Sequence, residues 1–145
     1  MSMLYEFRNC IEVNVGKASA WKFWTNVENW RLDPDVESVK LNGLFQAGTW
    51  GTTKSRSAGI VQWQITEVCE QESATIEILM PDTTVRFSWQ FEELSEARAK
   101  VTQQIALEGE GAEVYVIQLG AGFEQGVRDG MQRLQAAIET DSVGS

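Results

Sequence analysis

The chain has 145 residues, a length that suits one domain able to bury about 70% of its unfolded surface without disulfides or metal. Hydrophobic residues at 43% and charged residues at 23% argue against disorder. A net charge of −9, unbroken by any Lys/Arg cluster, argues against nucleic acid and anionic membranes as partners.

Residues 4–15 alternate, with Tyr5, Phe7, Ile11 and Val13 on one face and Glu6, Arg8 and Glu12 on the other. This period of two predicts a half-buried strand, ended by Gly16. Glu6 and Arg8 also interrupt any basic-then-apolar leader pattern, and no apolar run approaches the ~18 residues that cross a bilayer. A cytoplasmic protein with no membrane insertion is therefore expected. Lys17–Asn26 reads as a short helix, with Trp21, Trp24 and Val27 spaced by three on one side. Residues 27–35 read as a turn, because Pro34 biases Asp33 away from the helical region.

A strand follows at Val36–Leu41, then a loop punctuated by Asn42-Gly43 and Gly48. From Thr49 to Gly109 the pattern is a meander of antiparallel strands: Trp50–Arg56, Ile60–Cys69, Ala74–Met80, Thr83–Phe91 and Ala99–Leu107. Glu70–Ser73, Pro81-Asp82 and Leu94–Ala97 supply turns of hairpin length. The cleanest alternation is Val85, Phe87, Trp89 and Phe91 against Arg86, Ser88, Gln90 and Glu92. One apolar and one polar face per strand is the pattern of an antiparallel sheet with core on one side only.

From Ala112 to about Glu139 the period becomes helical, with Phe123, Val127, Met131, Leu134 and Ile138 on one side. Gly120 marks a break between a short and a long piece, and residues 140–145 are expected to fray. The fold class that follows is α+β. About seven strands form a curved antiparallel sheet around a long C-terminal helix, with a short helical segment after the first strand. One domain spans 1–145, ordered over about 4–140. A curled sheet gripping one helix leaves space between them.

Several residues are candidates for the lining of that space, each with a plainer structural role beside it. Six tryptophans against two tyrosines is an unusual ratio, suited to a core or to the wall of a pocket for a flat ligand. Trp63, Phe87, Trp89 and Phe91 lie on the apolar face, where packing on the helix is the alternative. Asn9 and Gln103 are amides on apolar faces; each either bonds a neighbour or orients a polar group of a ligand. Gly122, Gly126 and Gly130 form one stripe at i, i+4, i+8 beside Phe123 and Val127. At about 1 kcal/mol each relative to alanine, these glycines point either to close helix–sheet approach or to room left for a ligand. Asp33 and Asp35 are weak candidates for a carboxylate base at a cavity mouth, and such residues more often order a turn. Cys10 and Cys69 have no paired spacing and read as free thiols. No nucleophile motif, Walker loop, dinucleotide fingerprint or His/Cys ligand set occurs, so no metal or cofactor is implied.

The order of elements and several local strings resemble the START-related helix-grip superfamily, and within it the polyketide cyclase/dehydrase and lipid-transport (SRPBCC) grouping. The strings are Ile11-Glu12-Val13 before Trp21 and Trp24, Trp30 followed by Asp33-Pro34-Asp35-Val36-Glu37-Ser38-Val39, and Leu41-Asn42-Gly43 with Gly48-Thr49-Trp50-Gly51. Val85-Arg86-Phe87, Val101-Thr102 and Gly109 before the final helix complete them, over roughly residues 5–139. The resemblance implies an internal cavity for a hydrophobic small molecule. Bacterial relatives often carry histidines at positions matching Trp89 and Gln103, whereas this chain has no histidine. A general base near neutral pH then has to be a carboxylate, a cysteine or a lysine, which favours binding over acid–base chemistry.

The leading expectation is a binding or carrier protein for a lipid-like, polyketide-like or aromatic molecule. Trp30, Trp63, Phe87, Trp89, Gln103, Tyr115, Phe123, Gly126, Val127 and Met131 are its expected ligand-binding residues. Two alternatives stand beside it: a cyclase/dehydrase-type enzyme using Asp33 or Asp35, and a protein-interaction module. A monomer and a homodimer both fit the pattern.

Overall fold

The computed structural model describes residues 3–144, with side chains from 4 to 141. The strands are β1 (Met3–Val13), β2 (Val36–Leu41), β3 (Trp50–Ser55), β4 (Gly59–Cys69), β5 (Ser73–Met80), β6 (Thr83–Ser95) and β7 (Arg98–Gly109). The helices are α1 (Lys17–Thr25), α2 (Ala112–Leu119) and α3 (Phe123–Gly144), with a 3-10 helix at Val27–Leu32. All seven strands form one antiparallel sheet in the order β1-β7-β6-β5-β4-β3-β2. The fold class read from the sequence is the fold observed.

The hairpins arise where the sequence places turn residues. Pro81 and Asp82 alone separate the paired Met80 and Thr83, with Asp82 at a φ of 57° that Asp tolerates better than most residues. Register shifts in β2, β4 and β6 add bend to strands that already twist, so the sheet curls. β1 and β2 follow one another in the chain yet lie on opposite edges. α1 and the 3-10 helix make that crossing, α1 against β6 and β7 and the 3-10 helix against β2.

α3 comes closest to the β1 edge, and also approaches α1 and the 3-10 helix, while its apolar side chains reach the sheet face. Four polar contacts fasten it there. The Tyr5 hydroxyl donates to Glu124 Oε2 at 2.6 Å, and the Arg128 guanidinium lies over the Phe7 ring at 5.2 Å. Gln135 Nε2 donates to the Glu12 carbonyl at 2.6 Å, and the Asn14 N–H donates to Glu139 Oε2 at 2.9 Å. The last two satisfy backbone groups on a strand edge that is otherwise free to pair with another chain. The hydrogen bond to Glu124, helped by burial and by the carboxylate's charge, pushes the Tyr5 hydroxyl up to about 12.

The apolar interior forms two groups. One gathers Val13, Val15, Trp21, Trp24, Val101, Met131, Leu134 and Ile138; the other gathers Ile105, Leu107 and Ala112 with Tyr5, Tyr115, Phe123 and Val127. Phe87 packs against both.

One local expectation needs correction. Residues 27–32 are a 3-10 helix rather than part of a turn: the Asn26 side chain accepts from the Glu28 N–H, and Trp30 Nε1 and Asn29 Nδ2 donate to the carbonyls of Trp24 and Phe23. Residues 140–144 are assigned to the last turns of α3, after buried Ile138 and Glu139, which accepts from the Asn14 N–H. Ser145 lies outside the described residues.

Gly51 is required by its neighbour across the hairpin. A Cβ there would sit 2.2 Å from the Trp63 indole, which is buried and cannot swing aside. Gly51→Ala is expected to lower stability by about 1–3 kcal/mol, the usual penalty of overpacking. Thermal unfolding checks this, and an unchanged Tm contradicts it.

Candidate functional site

Between α3 and the concave face of the sheet, the two apolar groups leave space unfilled. A cavity of about 590 Å³ lies there. The size is that of a small-molecule site, for which about 300–1,000 Å³ is usual.

One wall is a run of adjoining indoles, tilted 34–40° to one another. Trp24 lies 4.9 Å from Trp89 and 5.7 Å from Trp30, and Trp30 lies 5.1 Å from Trp63, ring centre to ring centre. α1 supplies Trp24, the 3-10 helix Trp30, β4 Trp63 and β6 Trp89. Trp30 Nε1 donates to the Trp24 carbonyl at 2.7 Å and Trp63 Nε1 to Thr53 Oγ1 at 2.9 Å, so these rings are fixed in plane as well as in place. The rest of the sheet face is Val61, Ile76, Ile78, Phe87, Gln103 and Ile105. α3 contributes Phe123, Val127, Met131 and Leu134, with Gly126 and Gly130 of the glycine stripe between them and Gly122 immediately before the helix.

The stripe does not serve close packing. A Cβ built on Gly122, Gly126 or Gly130 meets nothing within 4 Å, and all three residues line the cavity. The helix is held away from the sheet here, and the missing side chains keep the space open. Gly122, Gly126, Asp33 and Arg133 are exposed lining residues and mark where the cavity meets solvent.

Asp33 and Asp35 stand at this mouth, but their carboxylates are engaged in ordering it. Asp33 Oδ1 accepts from the Asp35 N–H at 2.9 Å. Asp35 accepts from Ser55 Oγ at 2.6 Å, Ser57 Oγ at 2.7 Å and the Ser57 N–H at 3.0 Å, clasping β2 to the β3–β4 turn. The Ser55 hydroxyl first, then that of Ser57, holds the Asp35 carboxyl below its ordinary range. A general base at neutral pH needs the opposite shift, so the expectation of Asp35 as a base loses its physical ground.

The predicted site residues Trp30, Trp63, Phe87, Trp89, Gln103, Phe123, Gly126, Val127 and Met131 come together around the cavity. Tyr115 does not. It is half-buried in the second apolar group, because α2 docks on β1 and β7 and turns that face to the sheet edge. Asn9 is absent from the lining too, and its Oδ1 accepts from the neighbouring Cys10 N–H at 2.9 Å. Phe91 is core, packed on Trp21. Trp24 was missed as a lining residue, as were Val61, Ile76 and Ile78. Strand parity with Trp63 and Phe87 carries the signal for those three. Thr53 and Ser55, on a polar strand, carry none. Cys10 and Cys69 are free and exposed.

The polyketide cyclase/dehydrase and lipid transport family model matches residues 6–139. No curated protein matches the chain in sequence. Among solved structures, the chain is similar to the ZhuI aromatase/cyclase from Streptomyces sp. R1128, with a TM-score of 0.75, 13% identity and 94% of each chain covered. It is similar to norcoclaurine synthase from Thalictrum flavum, with a TM-score of 0.72, 8% identity and 98% of each chain covered. It is similar also to Ara h 8.0201, with a TM-score of 0.70, 17% identity and 99% of this chain and 100% of that chain covered. At these identities the likeness is one of fold.

Two outcomes follow. Gly126→Ala is expected to raise stability by about 1 kcal/mol, since the helix gains and nothing clashes; a lower Tm contradicts the open-space reading. The depressed pKa of Asp35 gives stability that is present above its ordinary value of 3.8 and lost as pH falls through the lowered folded value. The stability difference between wild type and Asp35→Asn, followed by denaturant melts, is expected to shrink below about pH 4 and stay constant near neutrality. A difference that grows in acid contradicts the clasp.

Proposed function

The chain belongs to the polyketide cyclase/dehydrase and lipid-transport family, and from that premise we propose that it is a single ligand-binding domain that holds a hydrophobic, ring-containing small molecule between the sheet and α3. The observation that carries this reading is the indole wall facing the open glycine stripe. Rings present flat, polarisable surface at stacking distance from a planar guest, and the glycines leave room for one. Affinity on this reading comes from burial of apolar surface, at about 25 cal/mol per Å² removed from water. The protein works in the cytoplasm, where its two exposed thiols stay reduced.

Catalysis of the cyclase/dehydrase type is less well supported. Such an enzyme gains rate by folding its substrate and by moving protons. The cavity supplies a shape, but its two carboxylates are occupied by hydrogen bonds at the mouth. An interaction module is less well supported again, because a collapsed cavity would suit it and this cavity is open. Among the described residues no helix is long and apolar enough to cross a membrane.

Titration with Nile red, a neutral apolar dye, tests the proposal through quenching of tryptophan fluorescence. Saturable 1:1 binding is expected. Gly126→Leu places a side chain in the open space and is expected to abolish uptake while Tm stays within a few degrees of wild type. Unsaturable binding, or full uptake by folded Gly126→Leu, overturns it.

A further inference from the structure

The cavity wall is almost free of charge and carries one unengaged amide. Its charged lining residues are Asp33, Asp35 and Arg133, which belong to the mouth. Along β7, Gln103 lies between Val101 and Ile105, both buried and on the same face of the strand. Across the sheet it is paired with Asn9 of β1 and Trp89 of β6. Asn9 turns its carbonyl oxygen onto the Cys10 N–H. Trp30 and Trp63 spend their indole N–H groups on protein acceptors. Among the described residues neither the Gln103 amide nor the Trp89 indole N–H is hydrogen-bonded to protein, and both side chains line the cavity.

We infer that Gln103, beside Trp89, is the residue that sets ligand specificity, and that the ligand is a planar ring system bearing an uncharged hydroxyl, carbonyl or amide where it meets Gln103. This rests on the ligand-binding reading above and goes beyond it in naming the ligand class. An amide side chain offers both a donor and an acceptor, so it pairs with a hydroxyl or with an amide-like edge equally well. A ligand that covers Gln103 without bonding it strands a polar group in an apolar surround, at a penalty equivalent to about tenfold to hundredfold in affinity. A carboxylate or ammonium set against Gln103 finds no opposite charge and loses its hydration without compensation. Charge on the ligand is tolerated at the mouth, beside Asp33 and Arg133. The Trp89 ring, packed at 4.9 Å on Trp24, is held firm enough to orient a stacked guest next to the amide.

The experiment is equilibrium dialysis of the full chain with three probes that share one ring system: naphthalene, 2-naphthol and 2-naphthoate. Wild type is expected to bind 2-naphthol at least tenfold tighter than naphthalene, and 2-naphthoate more weakly than 2-naphthol. Gln103→Leu, of similar size and apolar, is expected to erase the preference for 2-naphthol while binding naphthalene as well as or better than wild type. Gln103→Glu guards against a folding artefact in the leucine variant. It retains an acceptor for the hydroxyl and is expected to depress 2-naphthoate binding further. Equal binding of naphthalene and 2-naphthol by wild type, or a preference that survives Gln103→Leu, overturns the inference and leaves the ligand-binding reading standing. Binding of none of the three overturns both.

Discussion

The placement of α3 along the edge strand β1 is the constraint from which the rest follows. A long amphipathic helix beside a curved sheet would ordinarily lie across the middle of it and exclude water from the whole concave face. Here Tyr5–Glu124, Phe7–Arg128, Glu12–Gln135 and Asn14–Glu139 tie one flank of the helix to β1 and its following residue. Among its described residues only Met131, Leu134 and Ile138 are buried, the first two with an edge on the cavity. The N-terminal half of the helix, where Gly126 and Gly130 fall, faces open space at those two positions.

Stability and function then draw on different regions of one interior. The group around Val13, Trp21, Val101 and Ile138 is buried hydrocarbon, and its packing fixes the closed end of the groove. The indoles of Trp24, Trp30, Trp63 and Trp89 belong to that packing on one side and to the cavity on the other, so the cavity wall is backed by the core. Rigid, preformed walls reduce the ordering that binding requires. The mouth is firm for a different reason, since the Asp35 clasp ties β2 to the β3–β4 turn through three hydrogen bonds.

Much of this was legible in the chain. Alternation with a period of two located β1, β4, β5, β6 and β7, because one face of each meets apolar surroundings and the other water, whereas β2 and β3 were read from their place between turn residues. The change to a helical period, with Gly120 as a break, located α2 and α3. The site was legible as far as it follows the same parity: Trp63, Phe87, Trp89 and Gln103 point inward because their neighbours on the strand point out. Placement that depends on three dimensions was not. Tyr115 has the right residue type but sits on a helix docked elsewhere, and Gly51 looks like an ordinary strand glycine until the Trp63 indole is seen against it. The function of the glycine stripe was equally open, since close packing and open space leave the same sequence. The roles of Asp33 and Asp35 depend on which serines fold back upon them, and no local pattern specifies that.

The central claim is that a guest occupies the space between α3 and the indole wall, and the six tryptophans report on it directly. Trp30, Trp63 and Trp89 line the cavity, whereas Trp50 is exposed and outside it. Indole N–H signals in a ¹H–¹⁵N correlation spectrum, followed during titration with Nile red, separate the two locations. The account predicts saturating shifts at Trp30, Trp63 and Trp89 with Trp50 unmoved. Shifts confined to Trp50, or no shift at the cavity indoles at saturating dye, would contradict it.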